Sequence, residues 1–524
     1  MSGTRVPTDD TTLETKEVIT AQAEVGVLRS SEEAPVMDVE RRRGSWTEMT
    51  GAGREENDDQ EKEVTFTSWK TNKQWSTTKR QELQEMETKP KTQPMRKVRK
   101  LQRALYRQAK RKPEWRAWTL YGNVCSRAIL EEAVRKVIAN GGAPGVDGMR
   151  VEELRNDPEK QELLLKEVGE ELRTKTYKPQ PIRRFYIPKA GGKERALGIP
   201  TLKDRVVQTA VMMLLGPIFE ADFHEKSYAY RPERGAHQAM EAIRKAILSG
   251  RKEIVDADLS SYFDIIPHSE LMSLIAKRVS DGSVLKLIKG MLKAPIVEED
   301  PKTGHRKMIK NRCGVPQGGV ISPLLANLYL DGLDKAVNAG KRLKGIMVRF
   351  ADDIVIFCTK GTAEAMHRQV KRWLERRKLK LNEQKTRIVD FTQESFEFLG
   401  FRISLRRSPR GREYPHVEPS PKSCKKMREA IREETTRCTL WKEPAEVFTR
   451  VNQRLRGWSN YFHYANSTKV FSKMQYDTEN QMRRWLWKKH GKRYGQYTQA
   501  YSNERLHNHY QLYKLPLYAA WKHS

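Results

Sequence analysis

Two adjacent aspartates between two apolar runs constrain this chain more than any other feature. The run Phe350-Ala351-Asp352-Asp353 joins residues 346–350 to residues 354–357, and both flanks are rich in β-branched and aromatic side chains. Such a pattern predicts a strand, a tight turn and a second strand. The turn then places two carboxylates against a buried sheet, which costs free energy unless a cation holds them. Hard divalent cations such as Mg²⁺ prefer these oxygen ligands.

A second acidic strand supports a metal site. One pair of aspartates alone is weak evidence, because adjacent aspartates are common in solvated turns. Residues 253–259 form another mostly apolar run that contains Asp256 and Asp258. These two acids share one face of a strand, and Asp258 lies nearer its end, where a metal is accessible. We predict that Asp258 joins Asp352 and Asp353, and that Asp256 is structural.

A glycine-rich loop lies between the two acidic strands. Residues 314–323 hold three glycines around Gln317 and end in Ser322 and Pro323. Glycine lets the backbone approach a ligand closely. Serine followed by proline predicts an N-cap and the first residue of a helix. Gln317 is therefore expected on a loop just ahead of a helix, a position suited to contact a nucleotide.

The order of these segments resembles that of reverse transcriptases encoded by bacterial and organellar group II introns. The resemblance runs from about Ala104 to Phe401, and its seven blocks correspond to residues 141–148, residues 187–232, the Asp258 strand, the Gln317 loop, the Phe350 turn, residues 381–386 and residues 396–401. It implies an α+β fold, a right-hand polymerase whose fingers and palm contain antiparallel sheet, followed by a helical thumb and maturase domain.

The resemblance also implies roles for individual residues. Asp258, Asp352 and Asp353 would be the catalytic carboxylates and would hold two Mg²⁺ ions, with Mn²⁺ as a substitute. Gly400 would belong to the turn that grips the primer end. Four residues would bind the incoming nucleotide. Lys189 and Arg195 would contact its triphosphate, Gln317 would lie over its sugar, and Phe263 would pack beneath its ribose. For Phe263, an ordinary core aromatic is the alternative interpretation.

The charge distribution indicates a polyanionic partner. The formal net charge is +32. Residues 1–63 hold 8 Lys/Arg against 16 Asp/Glu, a net charge of −8, so the rest of the chain carries +40. A charge of this size exceeds what solubility requires and is typical of a nucleic-acid channel. Binding should therefore weaken steeply as salt rises.

The composition of the first residues and the spacing of the cysteines indicate in which cellular compartment the protein works. Residues 1–94 are predicted to be a disordered acidic segment and linker, because they lack a sustained apolar period. They suit neither a secretory signal nor a transit peptide. The five cysteines show no Cys-x-x-Cys pair, which argues against a disulfide framework or a zinc site. No apolar run approaches the roughly 18 residues that would span a membrane. We expect a cytoplasmic bacterial protein that associates with the nucleoid as a ribonucleoprotein.

The resemblance also implies domain boundaries. It implies fingers at residues 95–255, a palm at residues 256–405, and a thumb and maturase domain at residues 415–524, without an endonuclease domain. The fingers should open with a basic helix whose apolar positions are Val98, Leu101 and Leu105. In the last domain, helical patterns dense in arginine and tryptophan suit stacking on unpaired bases. The residues expected there to bind RNA are Arg456, Trp458, Arg483 and Arg484.

These observations predict the RNA-directed DNA polymerase of a mobile group II intron that also acts as splicing maturase and retromobility factor. Its partners would be intron RNA, an RNA template with a DNA primer, dNTPs and target DNA. Two alternatives stay open at this point. One is a related reverse transcriptase recruited to defence, repair or CRISPR spacer acquisition. The other is a splicing cofactor whose main role is RNA binding.

Overall fold

The computed structural model describes residues 93–188, 194–299, 303–340, 344–491 and 497–517. The predicted disorder of residues 1–94 falls almost wholly outside these ranges. Lys189, expected at the nucleotide triphosphate, also lies outside the described residues.

Within the described residues, five helices precede the first strand. They are α1 (Gln93–Arg111), α2 (Tyr121–Val124), α3 (Arg127–Asn140), α4 (Val151–Asn156) and α5 (Pro158–Arg173). The predicted apolar face of α1 is confirmed, since Val98 and Leu105 are buried and Leu101 packs beside them. The sequence of α1 contains no acidic residue. Its other face therefore presents uncompensated arginine and lysine to solvent.

The strands in the part of the chain that the structure describes form three sheets. In chain order they are β1 (Ile182–Pro188), β2 (Glu194–Ile199), β3 (Glu253–Ala257), β4 (Ile296–Glu299), β5 (Arg306–Ile309), β6 (Ile346–Phe350), β7 (Asp353–Cys358), β8 (Arg387–Asp390), β9 (Phe396–Phe398), β10 (Phe401–Arg407) and β11 (Glu413–Pro419). Their orders are β2-β1-β4-β5, β6-β7-β3-β8 and β11-β10-β9. The expected antiparallel pairing holds throughout except between β1 and β4, which run parallel.

The remaining helices surround these sheets. They are α6 (Leu202–Glu220), α7 (Ala236–Leu248), α8 (Tyr262–Ile265), α9 (His268–Ala276), α10 (Gly282–Lys293), α11 (Ser322–Asn338), α12 (Ala363–Arg376), α13 (Pro421–Glu434), α14 (Pro444–Phe462), α15 (Thr468–Lys489) and α16 (Tyr497–Ala500). Helix α6 is buried along most of its length, between α1, α3 and α11. It forms the centre of the first hydrophobic core.

The start of α11 differs from the sequence prediction. Ser322 is the first helical residue rather than the N-cap, which is Ile321. The Ser322 hydroxyl instead donates to the carbonyl of Pro316 at 2.7 Å. This bond joins the glycine-rich loop to the first turn of the helix. The Ser322 side chain therefore stabilises the loop and does not cap the helix.

A second core joins the β9-β10-β11 sheet to the C-terminal helices. Helices α13, α14 and α15 pack on one another and bury Phe448, Phe471 and Trp485. The predicted α+β class with a helical C-terminal region is thus confirmed. Among the described residues, no helix combines the length and apolar character needed to cross a membrane.

Candidate active site

The predicted acidic turn forms the tight end of a hairpin. Phe350 of β6 pairs with Asp353 of β7, so Ala351 and Asp352 make a two-residue connection. Ala351 has a φ of 59°, as the favoured two-residue hairpin turns require at their first central position. β7 also pairs with β3, where Ala257 lies opposite Ile354. Continuing that register by one residue brings Asp258 opposite Asp353.

The electrostatics of Asp353 reflect this convergence of acids. Loss of hydration, followed by the charges of Asp352, Asp258 and Asp256, raises the pKa of Asp353 to about 7. The side chain nevertheless keeps solvent contact at the end of β7. The two observations are compatible if the carboxyl opens to water on one side and is enclosed by protein and negative charge on the others. A cation could therefore reach it without unfolding the turn.

Cationic and amide side chains hold Asp256, in β3, and Asp258, just beyond the end of that strand. Oδ2 of Asp258 accepts from Nζ of Lys385 and from Nδ2 of Asn382, each at 2.9 Å. Asp256 is paired with Nε of Arg387 at 3.2 Å. Burial raises the pKa of Asp256, and Arg387 opposes that rise. The Arg387 pair agrees with a structural role for Asp256.

The chemistry of these donors fits a divalent cation, although their arrangement is not a closed metal cage. Among the described residues, no group of three or more His, Cys, Asp or Glu side chains is set to hold a metal ion. The donors are nonetheless hard carboxylates, and burial, followed by repulsion from the neighbouring carboxylates, raises the pKa of Asp353. A metal ion would relieve that repulsion. Asp258 would first exchange its contact with Lys385 for the metal.

The glycine-rich loop connects the elements that carry the predicted nucleotide contacts. The amide of Val315 donates to the carbonyl of Phe263 at 2.7 Å, and the amide of Gly198 donates to the carbonyl of Gln317 at 2.5 Å. Gly318 has a φ of 108°, and a Cβ there would lie 2.5 Å from the Gly198 carbonyl oxygen. Only glycine fits this contact. Gln317 is consequently fixed between β2, which also carries Arg195, and the short helix α8.

Phe263 and Arg195 differ in exposure. Phe263 is half-buried, packs against the first core, and has its ring 5.5 Å from that of Tyr262. Arg195 is exposed near the start of β2. The structure therefore leaves both interpretations of Phe263 open, while the guanidinium of Arg195 is accessible to an anion.

The predicted primer-grip turn is fastened to the C-terminal helices. Leu399 and Gly400 connect β9 to β10 with φ angles of 50° and 77°. The Gly400 carbonyl accepts from the Ser420 amide at 2.8 Å and from the Ser423 hydroxyl at 2.9 Å. Tyr461 donates from its hydroxyl to the Leu399 carbonyl at 3.0 Å. These three bonds thus fasten the turn to the start of α13 and to α14.

The four residues predicted to bind RNA lie in different environments. Arg456 and Arg484 are exposed, and the Arg456 guanidinium lies 5.2 Å from the Tyr513 ring centre. Trp458 packs against Phe462 and Phe471, and its buried indole nitrogen has no hydrogen-bond partner. Arg483 is buried, and its Nε donates to the Tyr501 carbonyl. Burial removes Arg483 from any exposed RNA-binding face and gives it an internal role.

Sequence reasoning overlooked several contributors to the site. Lys385 and Asn382 belong to a block that was matched as a whole, but neither was given a role. Arg349 lies in the apolar run at residues 346–350 and forms a buried ion pair with Asp334. One charged residue in such a run is itself a signal of a buried ion pair. Tyr461 could not have been found from spacing, since it approaches the turn from a different domain.

Family models match two successive parts of the chain. A model described as "Reverse transcriptase (RNA-dependent DNA polymerase)" matches residues 187–403. A model described as "Group II intron, maturase-specific domain" matches residues 424–501. Protein YkfC of Escherichia coli K12 is 34% identical over 356 residues, which cover 60% of this chain and 90% of YkfC. The chain belongs to the group II intron reverse transcriptase/maturase family.

One further relative and one solved structure are similar to parts of the chain. Group II intron-encoded protein LtrA of Lactococcus lactis subsp. cremoris is 40% identical over 174 residues, which cover 33% of this chain and 28% of LtrA. The solved telomerase of Candida albicans with a fragment of telomeric RNA is 14% identical, the match covers 62% of each chain, and the TM-score is 0.36. The LtrA match covers little of that protein's own length.

This reverse transcriptase therefore combines an RNA-directed DNA polymerase domain with a maturase domain in one chain. The predicted right-hand polymerase fold and intron-related function are confirmed at that level. The two domains imply an RNA template and intron RNA as partners. A reverse transcriptase domain also implies dependence on a divalent metal.

Proposed function

We propose that this protein extends a DNA primer on an RNA template by two-metal nucleotidyl transfer. Asp258 and Asp352 would bind the two ions directly, and Asp353 would support them. Two Mg²⁺ ions, when bound, would stabilise the charges on the attacking and leaving oxygens. The observation that carries this proposal is the convergence of the three carboxylates at one end of the β6-β7-β3 sheet.

The chain's own residues would bind and orient the dNTP. Lys189 and Arg195 would neutralise the triphosphate, where a point charge and a planar donor are both useful. Gln317 would lie over the sugar, because its loop is fixed between β2 and α8. Phe263 would close the space beneath the ribose. Gly400, in the turn fastened by Ser420 and Ser423, would hold the primer end.

We further propose that the exposed basic face of the C-terminal helices binds intron RNA, with Arg456 and Arg484 as contacts. The protein would work as a bacterial ribonucleoprotein at the nucleoid, where target DNA would be engaged. The maturase-domain match supports this over the alternative of a reverse transcriptase recruited to defence, repair or spacer acquisition. The presence of all three acidic donors in one chain favours a working polymerase over a cofactor that only binds RNA.

A primer-extension assay tests the polymerase proposal. Asp258→Asn should lower dNTP incorporation on an RNA template by about 100-fold or more, because a metal ligand is lost while the fold is kept. The matched control is Asp390→Asn. Asp390 pairs with Glu253 at the opposite end of the same sheet and should keep wild-type activity. Full activity of Asp258→Asn, or equal loss in both variants, would refute the assignment.

A further inference from the structure

Arg349 is a fully buried cation directly beneath the acidic turn. It lies in β6 with 1% of its surface exposed. All five of its guanidinium N–H groups have a partner. Nε and Nη2 bind the Asp334 carboxylate, Nη2 also donates to the Ser227 hydroxyl at 2.8 Å, and Nη1 donates to the Asn327 side-chain oxygen at 2.9 Å.

The remaining Nη1 hydrogen reaches the turn itself. It donates to the carbonyl oxygen of Ala351 at 3.0 Å. Ala351 has a φ of 59°, in the left-handed region that a residue with a Cβ adopts only when its surroundings impose it. The carbonyl held by Arg349 belongs to the peptide that joins Ala351 to Asp352. Fixing that peptide plane fixes the position of the Asp352 Cα and so restricts the directions that the Asp352 side chain can take.

The other partners of Arg349 are themselves anchored outside the hairpin. Asp334 and Asn327 lie on α11, and Nδ2 of Asn327 donates to the Ala229 carbonyl at 2.7 Å. The backbone of Arg349 exchanges bonds with its neighbours at residues 226–228, each 3.0 Å long. The guanidinium therefore ties the turn to α11 and to the 226–229 segment, and not only to the sheet.

We infer that Arg349 is a positioning residue for the metal site: it holds the Ala351–Asp352 peptide so that Asp352 faces Asp258 and Asp353. This inference rests on the proposed metal site. A buried ion pair by itself is weak evidence for a stabilising role. The guanidinium of Arg349 is planar, carries five donors, and binds the turn carbonyl as well as its ion-pair partner. The ammonium group of a lysine cannot reproduce this geometry.

The test is Arg349→Lys, compared with Arg278→Lys. Arg278 is a matched control because it is similarly buried, pairs with Asp222, and donates to the carbonyls of Lys112, Trp115 and Ala109 far from the turn. Mn²⁺ affinity of the full-length protein would be measured by electron paramagnetic resonance, alongside thermal melting and kcat and KM for dNTP incorporation. Both variants should melt at lower temperature than wild type.

Only Arg349→Lys should weaken Mn²⁺ binding, by roughly 10-fold to 100-fold, as is usual when a group that orients a metal ligand is lost. Its kcat should fall by a similar factor, while KM for dNTP changes little. Wild-type Mn²⁺ affinity and kcat in Arg349→Lys would overturn the inference and leave the metal site standing. Failure of the wild-type protein to bind Mn²⁺ would overturn both.

A second variant covers the case in which Arg349→Lys does not fold. Asp334→Asn keeps the shape of the arginine's partner on α11 but removes its charge. The guanidinium then loses its ion pair, so Mn²⁺ affinity should fall in the same direction. A folded Asp334→Asn with unchanged Mn²⁺ affinity and unchanged kcat would equally overturn the inference.

Discussion

The ammonium nitrogen of Lys385 lies 2.9 Å from Oδ2 of Asp258. A cation of the protein thus already neutralises a carboxylate that we assign to the metal site. A metal ion that binds Asp258 has to compete with this ammonium group.

The competition predicts that Lys385→Met binds Mn²⁺ more tightly than wild type in the absence of nucleic acid. The gain should be small, about two-fold to five-fold, because the lysine is largely exposed and such pairs are weak. The affinity can be measured by titration calorimetry. Lys380→Met, an exposed lysine on the same segment, is the control and should bind Mn²⁺ as wild type does. Weaker binding by Lys385→Met would show that the lysine assists the metal instead.

The raised pKa of Asp353 predicts a pH dependence of stability. Burial and the neighbouring acids raise this pKa from 3.8 to about 7. Between these values the folded protein binds more protons than the unfolded chain, so stability falls as pH rises. In EDTA, Asp353→Asn should therefore melt at a higher temperature than wild type at pH 8, and the difference should shrink toward pH 4.

Melting curves against pH provide the measurement, with Asp390→Asn as the control. Hydrogen bonds from Thr392 lower the pKa of Asp390, so its ionised form favours the folded state and its replacement should bring no gain at pH 8. A melting temperature of Asp353→Asn at or below that of wild type at pH 8 would contradict the raised pKa.

Phe263 provides a test of sugar selection. If its ring closes the space beneath the nucleotide's C2′, Phe263→Val should shift the preference for dATP over ATP by roughly 10-fold or more, since excluded volume supplies selectivity of that order. A core aromatic predicts a different outcome, a loss of about 3–5 kcal/mol in stability without a change in preference. Single-nucleotide incorporation and thermal melting separate the two. Ile265→Val, on the same short helix α8, controls for a general loss of packing.

Local patterns predicted the parts of the fold that depend on near neighbours. The β6-turn-β7 hairpin followed from two apolar runs around a polar pair, and the face of α1 followed from helical spacing at Val98, Leu101 and Leu105. The prediction that Ser322 is the N-cap was wrong, because its hydroxyl donates to the Pro316 carbonyl. A side chain with two suitable partners cannot be assigned from sequence alone.

Long-range contacts account for what the sequence could not reveal. Arg349 meets Asp334, Asn327 and Ser227 only after α11 and the 226–229 segment have packed against β6. Arg483 lies in a basic, aromatic stretch that suggested an exposed RNA-binding face, but α15 is buried on more than one side. Periodicity indicates that a helix is amphipathic without fixing how many neighbours cover it.

The most direct test of the account is the double variant Asp352→Asn/Asp353→Asn, assayed for cDNA synthesis and for intron RNA binding and assisted splicing in one preparation. The two aspartates belong to the β6-β7 hairpin, whereas Arg456 and Arg484, the proposed RNA contacts, are exposed on α14 and α15. We therefore predict that cDNA synthesis is abolished while RNA binding and splicing stay near wild-type levels. Equal loss of both activities in a variant that melts like the wild-type protein would contradict the assignment of the carboxylates to polymerisation alone.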